Sequence, residues 1–412
     1  MKNNYMQKEK QMKKGESLLF NKTLQRRVYF IFVVLIILSD ILGFFLMQGD
    51  SDFEHGVSIY SPKNGSVTKP QFTVDGVVYS KEGISTLEAV LLNSSNEEFK
   101  FPFTCHEVKY KEQTLLFLSS YTVQISLPAD GDYRLTVYMK TKGDNVVKSV
   151  ERTVHVDTVS AAPSFRMFNA GHMMTLGVMV VFAICLIIWA RRGTQKRIIL
   201  GKVIIACLTM SFELAIMYNL VLQRNYRISY DLPIHMCSVS ILLIPVILFS
   251  ENAKLKEFLY NLLFLWGLGG SMQALLTPDL SIYPFLGIHY ISFFVTHGMI
   301  IVTVMYLTYV EGNRPRWRHF PKVLLATAIG SIIAFGINYL VKLLPPYEVG
   351  GYYYLAYPPV SGSAIDYLVD IFGPSPYYIF GMLLLLPIAQ GILMFPIWLI
   401  DKVKGKIAKN RQ

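Results

Sequence analysis

The sequence predicts a polytopic α-helical membrane protein of about 8 transmembrane helices with an inserted all-β sandwich. Three observations carry that expectation. Apolar residues make up 52% of the chain and charged residues only 16%, whereas soluble domains carry about 25% charge. The apolar residues fall in eight runs, each near the twenty that a helix needs to cross a ~30 Å hydrocarbon core. Between the first and second runs lies a polar stretch of about 110 residues patterned as strands.

The elements follow in order. Residues 1–27 form a basic leader expected on the cytoplasmic side, where anionic lipid attracts it. The first apolar run, 28–48, lacks the short core and small-residue cleavage site of a signal peptide, so it is expected to be an uncleaved anchor. Residues 52–158 are the polar insertion, and Ser160-Ala161-Ala162-Pro163 reads as a linker. A seven-helix membrane domain is expected over 165–402. Its runs lie at about 168–190, 199–222, 232–250, 257–276, 287–310, 321–343 and 377–400, with a basic tail at 403–412.

Lysine and arginine set the expected orientation. Segments 1–27, 191–202, 251–257, 311–322 and 401–412 carry 8, 5, 2, 4 and 5 basic residues. The alternate short loops carry only Arg224 and Arg227, with Lys342 at a helix end where it can snorkel. Both termini are therefore expected in the cytoplasm and 52–158 outside it. The net charge of +11 is largely this orientation signal. Nucleic-acid binding is excluded as an expectation, because it needs basic and aromatic residues gathered on one soluble surface. Four cysteines exclude a disulfide-built scaffold.

Within 52–158, Phe72–Val78, Leu87–Leu91 and Arg134–Tyr138 alternate partly, separated by turn signals such as Lys63-Asn64-Gly65 and Asp130-Gly131-Asp132. Ser61-Pro62-Lys63-Asn64-Gly65, Leu127-Pro128-Ala129-Asp130-Gly131-Asp132-Tyr133 and the closing Val156-Asp157-Thr158 resemble a bacterial immunoglobulin-like domain. With Cys105 as its only cysteine, it can have no internal disulfide. A spacer or platform in the cell envelope is the plainer expectation; binding a wall polymer or protein is the other.

Ionisable residues inside membrane spans cost roughly 2.5–3.5 kcal/mol each on insertion scales, so each raises a functional question. Glu213 lies in the third span, His235 and Cys237 open the fourth, and His289 and His297 lie on the sixth. At about 1.5 Å rise per residue, Glu213, Cys237 and His297 all belong to the outer half of the membrane. A cysteine, a histidine and a carboxylate at one depth can form an activated thiolate, its base and an orienting acid. The alternatives are a small core cysteine with polar residues bonded across helices, or a metal site on His235, His289 and His297. No metal and no cofactor are expected.

Leu232-Pro233-Ile234-His235-Met236-Cys237-Ser238-Val239-Ser240 resembles the Leu-Pro-x-His-x-Cys signature of YwaF-like bacterial integral membrane proteins. Gln273-Ala274-Leu275-Leu276-Thr277-Pro278-Asp279 and Phe293-Phe294-x-x-His297 agree with it. So do Asn338-Tyr339, Tyr352 to Leu355, Pro358-Pro359, Ser363, Asp366-Tyr367 and Gly373-Pro374-x-Pro376-Tyr377-Tyr378. The chain departs from that family where Gly351 replaces an Asn and Ser375 a Trp. The first helix and the immunoglobulin-like insertion are additions to the family core. The family is similar to the eukaryotic transmembrane protein 164 group of ether-phospholipid acyltransferases. The resemblance implies a cysteine nucleophile at Cys237 and a histidine base at His297; Glu213, His235, His289 and Asp279 are expected in support.

The expected function is therefore a lipid-modifying acyltransferase in the outer half of a bacterial plasma membrane, with membrane lipids as partners. The alternatives are a non-enzymatic transporter lined by Asp40, Glu213 and the histidines, or a structural or sensory envelope protein that works through its sandwich. The linker 344–376, with Pro345-Pro346 and Tyr352-Tyr353-Tyr354, is expected to cover the outer interface, where Tyr rings sit at headgroup level. Gly267, Gly269 and Gly270 are expected to allow close helix packing. The orientation has a direct check: on whole cells, an impermeant thiol reagent should label Ser95→Cys and miss Asn410→Cys, and labelling of Asn410→Cys alone would reverse the topology.

Overall fold

The computed structural model describes residues 22–47, 49–106, 108–111, 115–158, 165, 167–278, 280, 285–356 and 364–409. Asp279, the linker at 160–163 and Tyr357-Pro358-Pro359 lie outside the described residues. The first helix, α1, is Lys22–Leu46. Its run of Val, Ile, Leu and Phe is apolar on every side, and most of it faces outward, as a helix in lipid does.

The insertion forms two packed sheets. One has the order β1 (His55–Ser61), β3 (Gln71–Ser80), β7 (Leu116–Ser126), β6 (Lys109–Lys111). The other has the order β2 (Ser66–Thr68), β10 (Arg152–Val156), β8 (Gly131–Thr141), β4 (Ile84–Asn93), β5 (Glu98–Phe103), with β9 (Val146–Lys148) also on β8. Pairing is antiparallel except for β2 with β10. The period-two pattern sets which side chains are inside: Tyr121, Val123 and Ile125 of β7 meet Tyr133, Leu135, Val137 and Met139 of β8 in one core. Gly76 permits the close approach of β1, since a Cβ there would lie 1.9 Å from the Ser58 carbonyl oxygen.

The membrane domain follows as α2 (Ala170–Arg191), α3 (Gln195–Leu222), α4 (Met236–Phe249), α5 (Ala253–Leu263), a π-helical turn (Phe264–Gly269), α6 (Gly270–Leu276), α7 (Ile288–Tyr309), α8 (Phe320–Val341), α9 (Ala364–Phe372) and α10 (Tyr378–Lys409). Among the described residues seven helical stretches, α1 included and α5 to α6 counting as one, are long and apolar enough to span a bilayer.

The fourth run departs from expectation. Its helix has 14 residues, about 21 Å at 1.5 Å each, short of a ~30 Å core. The reason is local: Pro233 pushes the residue before it away from helical dihedrals, and the stretch 223–235 stays irregular.

The two ends of the domain differ. At one, the Glu311 carboxylate accepts from Lys202 and from Lys256 at 2.5 Å, and Glu257 pairs with Arg318 at 2.7 Å. These are the basic segments. At the other, the sandwich rests on the irregular loops. The amide of Asn64 donates to Asn225 Oδ1 at 3.0 Å, the Tyr347 hydroxyl donates to the Phe53 carbonyl, and the Tyr79 and Tyr347 rings meet edge to face at 4.8 Å.

The tyrosine linker also departs from expectation. Tyr352 is fully buried and Tyr353 nearly so, because Asn338 brackets the Tyr352 backbone with bonds of 3.0 and 2.9 Å. They are packed in the core of the domain and not exposed on its surface. The sandwich core generates a check. Residues 52–158 expressed alone should melt in one cooperative step, and Leu135→Ala should lower their stability by about 2–5 kcal/mol; a fragment without a thermal transition would contradict an independent domain.

Candidate functional site

The site is built around the first turn of α4. His235 is its N-cap residue, so the amides of Met236, Cys237 and Ser238 have no acceptor within the helix. They leave a positive dipole end beside the Cys237 side chain. Cys237 is partly buried. A Cβ on Gly270 would sit 3.6 Å from its Sγ, and the Ser271 hydroxyl lies beside the thiol with no other hydrogen-bond partner among the described residues. The π turn at 264–269 produces this arrangement. The residue it adds shifts the phase of the following turn, so that Gly270 and Ser271 face α4. Gly267 does pack as expected, since a Cβ there would lie 2.4 Å from Ile300 Cγ2.

Glu213 of α3 is 4% exposed and stands within electrostatic reach of both Cys237 and Asp40. Asp40 comes from α1, which packs tightly here: a Cβ on Gly43 would lie 2.6 Å from the Tyr226 ring. Tyr353 reaches toward the thiol from another side, its ring edge-on to Trp266 at 6.3 Å. The Trp266 indole donates to Thr327 at 2.8 Å, fixing that wall.

The two histidines have defined tautomers. His297 Nδ1 donates to the Phe293 carbonyl at 2.9 Å, and the ring stacks on Phe293 at 4.2 Å. That bond leaves Nε2 with its lone pair. His235 Nε2 donates to the Tyr230 carbonyl at 3.2 Å, leaving its Nδ1 as the acceptor. The His235 ring packs between Tyr230, Tyr352 and Tyr354 and lies within electrostatic reach of His297.

Among the described residues no hydrogen bond joins Cys237 to His297, and His235, two residues before Cys237, lies within electrostatic reach of His297. His289 lies further out, within reach of Lys63 of the sandwich. Among the described residues no three His, Cys, Asp or Glu side chains have metal-binding geometry. His172 is spoken for, donating or accepting between Leu275 O at 2.8 Å and the Phe168 amide at 3.0 Å.

Sequence reasoning missed Ser271, Tyr353 and Lys63 as neighbours of this region. Ser271 follows a small-residue run that reads as packing, and only the π turn aims it at Cys237. Tyr353 and Lys63 come from a linker and a β-turn whose placement no periodicity encodes.

The sequence model of the TMEM164 family matches residues 167–394, more than half of the chain. No curated protein matches it. A solved structure of astrotactin-2, described as a conserved vertebrate-specific, perforin-like membrane protein involved in neuronal development, is 13% identical. The match covers 40% of this chain and 31% of that one at a TM-score of 0.17, too little overlap to inform fold or function.

Proposed function

We propose that this chain, which belongs to the TMEM164 family, is a membrane acyltransferase that works on lipids in the outer half of the bilayer. The observation that carries the reading is the thiol at the open N-terminus of a short helix. Around it stand Glu213, Ser271 and Tyr353, with His235 capping the same helix and His297 within electrostatic reach of His235. Polar groups are expensive at this depth, and a cluster with a thiol at its centre suits covalent chemistry better than packing.

The step balances as follows. A histidine nitrogen, His297 Nε2 in its neutral form, takes the Cys237 proton as Sγ attacks the ester carbonyl of a donor lipid. The first-turn amides face the developing oxyanion. Collapse expels the donor's alkoxide, which recovers the proton from the imidazolium and leaves an acyl thioester on Cys237. The hydroxyl of an acceptor lipid then gives its proton to the same imidazole, attacks the thioester and releases the thiolate, which is reprotonated. His235 orients the pair, and the Glu213 carboxyl forms the back of the site. The orientation with the sandwich outside the cytoplasm, and membrane lipids as the partners, belong to the same proposal. The histidine bond to sulfur is open in this state, as catalytic bonds often are without substrate.

The test is lipid analysis of membranes containing wild-type or substituted protein at equal expression. Cys237→Ser and Cys237→Ala should abolish acyl exchange, His297→Ala should slow it by about 10²–10⁴-fold, and Cys185→Ser and Cys207→Ser should leave it unchanged. Full exchange by Cys237→Ala would remove the cysteine mechanism.

A further inference from the structure

Arg224 and Arg227 are the two basic residues that the outer loops carry against the distribution of charge elsewhere. Both fall at one place. Arg152, from β10 of the sandwich, lies within electrostatic reach of both, and Lys63, from the turn after β1, lies within reach of Arg152 and Arg227. Two carboxylates face them. Glu348 pairs with Arg227 at 3.3 Å, and Asp231 accepts the Arg227 amide at 2.6 Å while facing Lys63. Four cations therefore meet two anions where the sandwich joins the membrane domain.

Arg227 also lies over the Tyr60 ring at 4.1 Å, while Arg152 and Lys63 keep donors unused among the described residues. Arg152 is only 2% exposed. Its Nη1 donates to Asn225 and its Nη2 to the Ile59 carbonyl at 3.0 Å, but its Nε has no partner among the described residues. The Lys63 ammonium makes no ion pair or hydrogen bond among the described residues. Burial first, and then Arg227 and Arg152, hold its pKa down at about 8 against the opposing pull of Asp231. Buried excess charge is costly unless a counter-charge joins it. Arg152 and Arg227, with Tyr60, Ser229 and Glu348, also line a cavity of about 50 Å³ beside Met47 at the end of α1. A single water needs roughly 10–15 Å³ by the same measure, so the space admits a larger occupant.

We propose that this junction binds a phosphate-bearing anion through Lys63 and Arg152 of the sandwich and Arg224 and Arg227 of the membrane domain. Arginine forks suit phosphate oxygens, and the lysine adds a point charge. The site makes the sandwich part of a binding surface at the membrane face. Its ligand is either the headgroup of a phospholipid or a phosphate free in the surroundings.

Calorimetry on the full-length protein in a maltoside detergent tests this with three probes: dihexanoyl phosphatidylglycerol, inorganic phosphate and uncharged dihexanoylglycerol. Saturable binding of phosphatidylglycerol is expected, with none of dihexanoylglycerol. Binding of the lipid alone assigns a headgroup site, and binding of inorganic phosphate as well assigns a free-phosphate site. Lys63→Ala should weaken binding at least tenfold and Lys63→Arg restore it to within threefold. Arg224→Gln, at an exposed position, should weaken it at least threefold. Cys237→Ser should bind as wild type, so loss of acyl transfer leaves this site untouched. Absence of binding by either phosphate probe, or unchanged binding in both Lys63→Ala and Arg224→Gln, overturns the proposal.

Discussion

Asn338 and Tyr352 hold the backbone on which the membrane domain is arranged. Stopping α4 roughly 9 Å short of a full span leaves the stretch 223–235 irregular, and its buried backbone groups need partners from elsewhere in the chain. The linker after α8 supplies what water cannot. Asn338 grips the Tyr352 backbone through both its amide atoms. The Tyr352 hydroxyl then donates to the Ile228 carbonyl at 2.5 Å and accepts the Leu232 amide at 3.0 Å. The Gly351 amide completes the clamp on the Ser229 carbonyl at 2.9 Å. A tyrosine thus stands in for solvent, and a helix can begin below the surface.

That beginning places a thiol at a helix N-terminus within the helical domain, where a longer helix would have put only packed side chains. The π turn opposite it, the carboxylate of Glu213 and the ring of His235 all converge on the same turn. On the outer side, the same irregular stretch carries Asn225, Arg227 and Asp231, which receive the sandwich. One clamp therefore serves two purposes: it sets the depth of the cysteine below and gives the β-domain a rigid seat above.

Much of this was legible in the residues. Eight apolar runs became eight helical segments, and the alternation in Phe72–Val78, Leu87–Leu91 and Arg134–Tyr138 fell within β3, β4 and β8. Hydropathy and period-two pattern report burial directly, and burial is what both elements obey. Cys237, His235, His297 and Glu213 stood out because charge and polarity are conspicuous in apolar sequence. What escaped was everything set by tertiary contact. The apolar run 232–250 looks like a complete span, but Pro233 breaks its start and the bonds of Tyr352 to Ile228 and Leu232 hold that stretch unwound. Tyr352 and Tyr353 read as interfacial aromatics, since nothing in Tyr-Tyr-Tyr announces that Asn338 will draw the segment inward. Ser271 was hidden by a phase shift that hydropathy does not register.

The central claim is an acyl group carried on Cys237, and trapping it is the most direct measurement. Full-length protein is incubated with phosphatidylcholine bearing an isotope-labelled oleoyl chain and no acceptor, quenched in acid, digested and analysed by mass spectrometry. The account predicts labelled oleate on the Cys237 peptide, removed by neutral hydroxylamine as a thioester is. Labelled oleate absent from Cys237, or spread equally over Cys185 and Cys207, would contradict it.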